Sequence, residues 1–296
     1  IYGMGGAYPA TYIIDENGIL YTAGESSASL HGRNVYEFTK FHPWGEWNAN
    51  RKVVHISATE NQGHWNGSYY RVMTITFANG DYFWRSDSAP QNNYFGQVDW
   101  NRPIGAEGDT PENTNVKEAV ARNGGYMTHW VLKNDGSVWS KGYNGYNVHD
   151  GSSSNGTWNQ WEFPNVGEKC IKFRASGADY LTGIGVLSNY GRIYMVGHDY
   201  EGFRGRGTYA NENRPASAGS KNAGLYPIVS DKVFVDFQFF GVMADYYGGS
   251  GADGDTSAGV YALTDDGEVY CWGYGGYSTL GDDDGEYRTV PGKLIF

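Results

Sequence analysis

The chain has 296 residues, 40% of them hydrophobic, which suffices for one large all-β domain with a sizeable core and excludes a disordered chain. Glycine occupies 44 positions, about twice its average share, aromatics reach 16%, and no run approaches the ~18 apolar residues of a membrane-spanning helix. A formal net charge of −11, with no basic cluster longer than two residues, disfavours nucleic acid as a partner because its phosphates are repelled on average.

Five stretches share one pattern: an alternating apolar strand, an Asn-Gly or Asp-Gly turn or close variant, and a second strand that often ends in glycine. In chain order these hairpins fall at 13–24 around Gly18, 75–86 around Gly80, 131–142 around Gly136, 186–197 around Gly191 and 262–273 around Gly267. Glycine accepts the positive φ of such a turn without a Cβ clash, and period-two alternation gives each strand one face to bury. A further strand is expected before four of them, at 52–56, 116–120, 170–173 and 233–237, while the first hairpin has none. Residues 290–296 supply a last strand with no hairpin behind it. Pairing of this C-terminal strand with the N-terminal hairpin is the expected closure, leaving no open sheet edge. The turn glycines are 62, 56, 55 and 76 residues apart, a repeat of roughly fifty residues with insertions, as in propeller blades. The expected fold is therefore an all-β propeller forming a single domain over 1–296, with five recognised repeats and room for degenerate ones in the long gaps.

Residues 262–280, reading ALTDDGEVYCWGYGGYSTL and followed by Gly281, resemble the repeat of the regulator of chromosome condensation (RCC1-like) family, whose pattern runs AL-x-x-DG-x-VY-x-WG-x-N-x-x-G-x-LG. The repeats around Gly136 and Gly191 match in part, and those around Gly18 and Gly80 weakly, with Ser86 where a glycine is usual. The resemblance implies a β-propeller, usually seven-bladed in eukaryotic members. It leaves function open, because related repeats serve as nucleotide exchange factors, photoreceptors, ubiquitin ligases, bacterial enzyme inhibitors and phage or bacterial surface proteins. No exchange-factor residue maps onto this chain.

No catalytic residue, metal ligand or cofactor is expected. There is no G-x-S-x-G elbow, H-E-x-x-H pair or phosphate-cradling G-x-x-x-x-G-K-[ST]. The histidines (31, 42, 55, 64, 129, 149 and 198) are scattered singly and read as packing or turn residues. Cys170 and Cys271, 101 residues apart, form neither a disulfide framework nor a spaced metal site. Asp253-Gly254-Asp255 and Asp282-Asp283-Asp284 read as solvated turns, since neither fits a calcium loop.

Aromatic loops carry the functional reading. Antiparallel strands alternate direction, so the loops entering and leaving a hairpin emerge at one end of a blade and the Gly turns at the other. The loop end is rich in Tyr, Gly and Asn, the composition of recognition surfaces. Trp65, Tyr246 and Tyr247 lie in insertions the repeat does not require and are the preferred ligand contacts. Tyr94, Phe95, Tyr126, Tyr180, Tyr200, Phe203 and Tyr277 complete the candidate set, whereas Tyr143 and Tyr274, each the first residue after a strand-ending glycine, are expected to pack between blades. Trp44, Trp47, Trp158 and Trp161 sit in connectors at the opposite end and are expected to cap the propeller or dock another chain.

The expectation is a non-enzymatic binding or adhesion module on a cell or virion surface, such as the receptor-binding tip of a phage tail fibre, recognising a cell-surface glycan or protein. Nucleic acid and membrane insertion are not expected, and a start at Ile1 rather than Met suits a processed precursor or a part of a larger polypeptide. Alternatives are an RCC1-like secreted enzyme inhibitor or intracellular scaffold, or a glycan hydrolase using Asp245 or Asp253.

Overall fold

The computed structural model describes residues 2–4, 10–24, 35–40, 52–62, 69–86, 115–123, 127–142, 158–176, 183–197, 202–207, 225, 227–240, 259–275, 280–281 and 287–295. The regular structure among them is five antiparallel sheets. The first runs β1 (Tyr2–Met4), β2 (Ala10–Ile14), β3 (Leu20–Gly24), β4 (Val35–Lys40), and the second β5 (Val53–Gln62), β6 (Tyr69–Phe77), β7 (Tyr82–Ser86). The third runs β8 (Val116–Asn123), β9 (Met127–Lys133), β10 (Val138–Gly142), β11 (Asn159–Gln160). The fourth holds β12 (Cys170–Ser176), β13 (Gly183–Ser188), β14 (Ile193–Gly197), and the fifth β15 (Phe234–Phe240), β16 (Gly259–Thr264), β17 (Val269–Gly273), β18 (Arg288–Lys293). Each sheet is a meander in which sequence neighbours are hydrogen-bonded neighbours.

All five expected hairpins and all four preceding strands are present. Two expectations about the ends are corrected. The first hairpin has its own leading strand, with Tyr2 opposite Tyr12 and Met4 opposite Ala10. The C-terminal strand does not add to that hairpin; it pairs with β17, placing Tyr270 opposite Lys293 and Gly273 opposite Arg288. The N–H of Leu294 continues this ladder by donating to the Val269 carbonyl at 2.8 Å. Both edges of the first hairpin are already paired, by β1 and β4. The β17 edge lies much nearer along the chain than the first hairpin, and closing the shorter loop costs less entropy.

The chain divides into two compact units: residues 1–143 with 154–160, holding the first three sheets, and residues 144–153 with 161–296, holding the last two. β13 and β14 are buried on both faces, with every residue buried, whereas β2, β3 and β10 alternate buried and half-buried residues. In unit 1, Tyr12, Leu20, Ile56, Met73, Ile75 and Phe83 form one cluster, and Val72, Tyr82, Trp84, Val116 and Val131 another. In unit 2, Leu187, Ile193, Phe234, Phe237, Val260 and Trp272 form the core.

Two devices recur. The turn glycine carbonyl accepts a hydrogen bond from the first residue of the next leading strand: Gly18 from Val53 at 2.9 Å, Gly80 from Val116 at 2.8 Å, and Gly191 from Phe234 at 2.8 Å. Within each unit these clamps tie one hairpin to the next sheet. The second device is a register shift near the start of the leading strands β5, β8, β12 and β15, between Val53 and His55, Val116 and Glu118, Cys170 and Lys172, and Phe234 and Asp236. Such a bulge leaves one extra residue on the leading strand: Val54, Lys117, Ile171 and Val235.

Candidate functional site

Strand registers fix which segments leave each sheet at which end. Gly24 pairs with Ala10, Tyr69 with Gln62, Gly142 with Thr128, Gly183 with both Ser176 and Gly197, and Gly259 with both Phe240 and Gly273. In each of these sheets the far ends of the hairpin, and where paired the end of the leading strand, therefore lie together, opposite the Gly turn. Segments 63–68, 124–126, 177–182 and 241–258 join leading strand to hairpin at this end, and 25–34, 87–114, 143–157 and 198–201 begin there. Trp65, Tyr94, Phe95, Tyr126, Tyr180, Tyr200, Tyr246, Tyr247 and Tyr277 all lie outside the described residues, as do Trp44, Trp47, Tyr143, Asp245, Asp253 and the run 282–284.

Phe203, the one candidate contact that is described, is corrected to a core residue. It is fully buried, and its ring stands 2.1 Å from where a Cβ on Gly183 would sit. Only a residue without a side chain leaves that slot open. The ring packs on Phe239 at 5.2 Å between centroids, and the Phe203 carbonyl accepts a hydrogen bond from Trp272 Nε1 at 2.9 Å. Two of the connector tryptophans are also turned inward: Trp161 is buried, and half-buried Trp158 meets the Tyr82 ring edge-on at 6.5 Å. Half-buried Tyr274 packs beside half-exposed Tyr287 at 5.7 Å between ring centroids.

The turn end is tight and polar. The Asp15 carboxylate accepts from the N–H groups of Asn17 and Ile19 at 3.0 and 2.7 Å, and Asp135 accepts from the Ser137 N–H at 2.9 Å. These side chains supply local partners for the turn backbone. Sequence reasoning did not find buried Glu168, which accepts hydrogen bonds from Ser188 Oγ at 2.6 Å, Tyr194 OH at 2.7 Å and Asn165 Nδ2 at 2.6 Å. Burial opposes its ionisation, but the three donors and the nearby Arg192 charge outweigh that and hold its carboxyl below the usual range. Burial and the Glu168 carboxylate push the Tyr194 hydroxyl in the opposite direction, upward. Glu268 accepts from Lys293 and from Lys232, the latter at 2.9 Å, and its carboxyl is pulled down to about 2. In the same unit Lys172 reaches Asp236 at 2.6 Å. These hydrogen bonds and ion pairs fasten neighbouring strands and turns together.

His129 is enclosed by unit 1, with the Trp84 ring edge-on at 5.0 Å and Tyr82 at 6.3 Å. Burial, and secondly the Lys141 charge, lower its pKa well below the usual value, so it packs as a neutral ring. Cys170 and Cys271 are buried thiols, donating to the Lys172 and Leu280 carbonyls at 3.3 and 3.1 Å.

Among solved structures the chain is similar to Prp20p from Saccharomyces cerevisiae, with a TM-score of 0.60 and 13% identity over 97% of this chain and 61% of that one. It is similar to a chain of the complex of Kap60 with yeast RCC1 (Prp20), at TM-score 0.62 and 13% identity over 98% and 59%. Human WBSCR16 matches at TM-score 0.58 and 15% identity over 99% and 66%. The chain thus spans less than two thirds of the length of each. No family model matches the sequence, and no curated protein matches it. The likeness establishes an RCC1-like β-propeller fold.

Proposed function

From the RCC1-like β-propeller fold as premise, we propose that the chain is a non-enzymatic binding module that recognises a cell-surface glycan or protein through the loops leaving its sheets opposite the Gly turns. The finer reading is a surface or virion adhesin, of the kind found at the receptor-binding tip of a phage tail fibre. The observation that carries the proposal is the asymmetry of the sheets. At one end the polypeptide closes in short turns whose polar side chains bond to their own backbone. From the other depart long segments such as 87–114 and 241–258, containing Tyr94, Phe95, Tyr246 and Tyr247. Loops set on a rigid scaffold are where binding residues concentrate. Tyr and Trp offer broad faces for sugar rings or protein surfaces at small entropic cost, and neighbouring Asn and Asp supply hydrogen bonds to hydroxyls. Glu168, Asp236 and Glu268 are held by fixed donors, which supports a structural role for these carboxylates.

A protein ligand is the second reading. Prp20p binds Gsp1p and histones, so this fold carries protein partners elsewhere. With 33 acidic against 22 basic residues, a histone-like or other basic partner suits this chain better than nucleic acid does. A glycan array run beside a pulldown from host-surface extract separates the two ligand classes. Trp65→Ala and Tyr246→Ala are expected to lose binding in whichever assay the wild type is positive; wild-type binding by both variants removes the proposed contact surface.

A further inference from the structure

The outer strands of the first and fifth sheets carry the same irregularity. Along β4, Lys40 faces Tyr21 and Thr39 faces Thr22, but Gly24 faces Val35, so Tyr36, Glu37 and Phe38 stand against Ala23 alone. Along β18, Lys293 faces Tyr270, Gly292 faces Cys271 and Arg288 faces Gly273, leaving Thr289, Val290 and Pro291 against Trp272. Three residues opposite one make a strand bow away from its sheet. A bowed edge is a poor template for a further β-strand, so its cover must use side chains and single backbone contacts.

Unit 2 shows what covers such a bow. Residues 202–207, reading GFRGRG, lie against it: the Gly207 N–H donates to the Thr289 carbonyl at 2.8 Å, and a Cβ on Gly202 would stand 2.6 Å from the Thr289 Cα. Only glycine permits that approach of two backbones. The bow of β4 is built of different residues. Tyr36 is 89% exposed, and Glu37 and Phe38 are exposed beside it. Among the described residues, neither ring stacks on another ring or on a cation, and the Glu37 carboxylate has no ion pair or hydrogen bond.

We propose that the bow of β4 docks an arginine- and glycine-bearing segment of a partner protein. A carboxylate between two aromatic residues suits a guanidinium, which stacks on ring faces and donates to carboxylate oxygens. The formal net charge of −11 draws a basic partner at longer range. Glycine in the partner allows the close approach that Gly202 makes in unit 2, and the Tyr36 carbonyl holds the place of the Thr289 carbonyl as acceptor. No residue of the proposed recognition loops takes part, so the site stands apart from that surface.

Fluorescence anisotropy of the whole chain with a labelled, end-blocked GRGGRG peptide tests the assignment, beside versions carrying Lys or Ala in place of Arg. The Arg peptide is expected to bind, the Lys peptide about tenfold more weakly and the Ala peptide not at all. Tyr36→Ala and Glu37→Gln, both at exposed positions, are each expected to weaken binding about tenfold at unchanged melting temperature. Glu16→Gln removes an equal charge from the exposed Gly18 turn of the same sheet, and Trp65→Ala alters the recognition loops; both are expected to bind the peptide as wild type. No binding of the Arg peptide, equal binding of the Ala peptide, wild-type affinity in Tyr36→Ala or Glu37→Gln, or an equal loss in Glu16→Gln or Trp65→Ala overturns the proposal.

Discussion

Gly80 and Gly267 hold the same place in their hairpins, with φ of +89° and +86°, yet they meet different surroundings. A Cβ on Gly80 would stand 2.7 Å from the Asn115 Cα, a backbone atom that cannot swing away, whereas one on Gly267 meets nothing within 4 Å. Gly267→Ala is therefore expected to cost only the left-handed backbone strain, about 1–2 kcal/mol. Gly80→Ala adds the collision and threatens the Val116 clamp, for a loss of about 3 kcal/mol or more, and urea denaturation of the pair reads the difference. His129 sets a pH dependence at the same scale. Its folded pKa lies below the unfolded value near 6.5, so below pH 6.5 the unfolded chain takes up a proton that the folded one refuses. Stability is then lost as pH falls from about 6.5 toward the folded pKa, with a slope of up to about 1.4 kcal/mol per pH unit. Melting curves of wild type and His129→Asn between those limits should converge as the pH drops; parallel curves contradict a neutral buried ring. At this scale the sequence was legible for the turn glycines, whose chemistry is local. It was not legible for Phe203 or Glu168, whose burial depends on Gly183 and on Ser188 and Tyr194, about twenty residues away.

At the scale of elements, the hairpins were readable because an Asn-Gly or Asp-Gly turn and flanking alternation are short-range signals. β1 and β11 were not, being three and two residues long with no pattern to recognise. The bulges left a trace that strict alternation hides. Val53 and Ile56, Val116 and Ala119, Cys170 and Phe173, Phe234 and Phe237 are all buried, a spacing of three that an unbroken period-two strand does not produce. A leading strand with apolar residues at its first and fourth positions is thus the local signature of this fold's inner register. Phe203 tests the packing of unit 2. Phe203→Ala removes a fully buried ring from against Gly183 and Phe239, and is expected to cost about 3–5 kcal/mol while leaving ligand binding by the folded protein unchanged. Impaired binding at undiminished stability would return this residue to the contact set.

For the whole molecule, composition and repeat spacing pointed to a β-propeller, and the resemblance of residues 262–280 to the RCC1-like form that the solved structures share, but nothing in them specified how the chain ends are accommodated. That outcome rests on competition for sheet edges: β1 and β4 occupy the first hairpin, and β18 takes the edge of β17. The proposed function follows the same division, with turn ends holding sheets together and recognition assigned to the loop segments that carry Trp65 and Tyr246. The direct test compares the two ends in one quantitative binding assay against the glycan or protein first captured. Trp65→Ala and Tyr246→Ala represent the loops, and Val166→Ser represents the turns, because Val166 is 98% exposed beside the Tyr190 hydroxyl that donates to its carbonyl. The account predicts that both loop variants lose affinity at unchanged melting temperature while Val166→Ser binds as wild type. Lost affinity in Val166→Ser with full binding by the loop variants would place recognition at the turn end and contradict it.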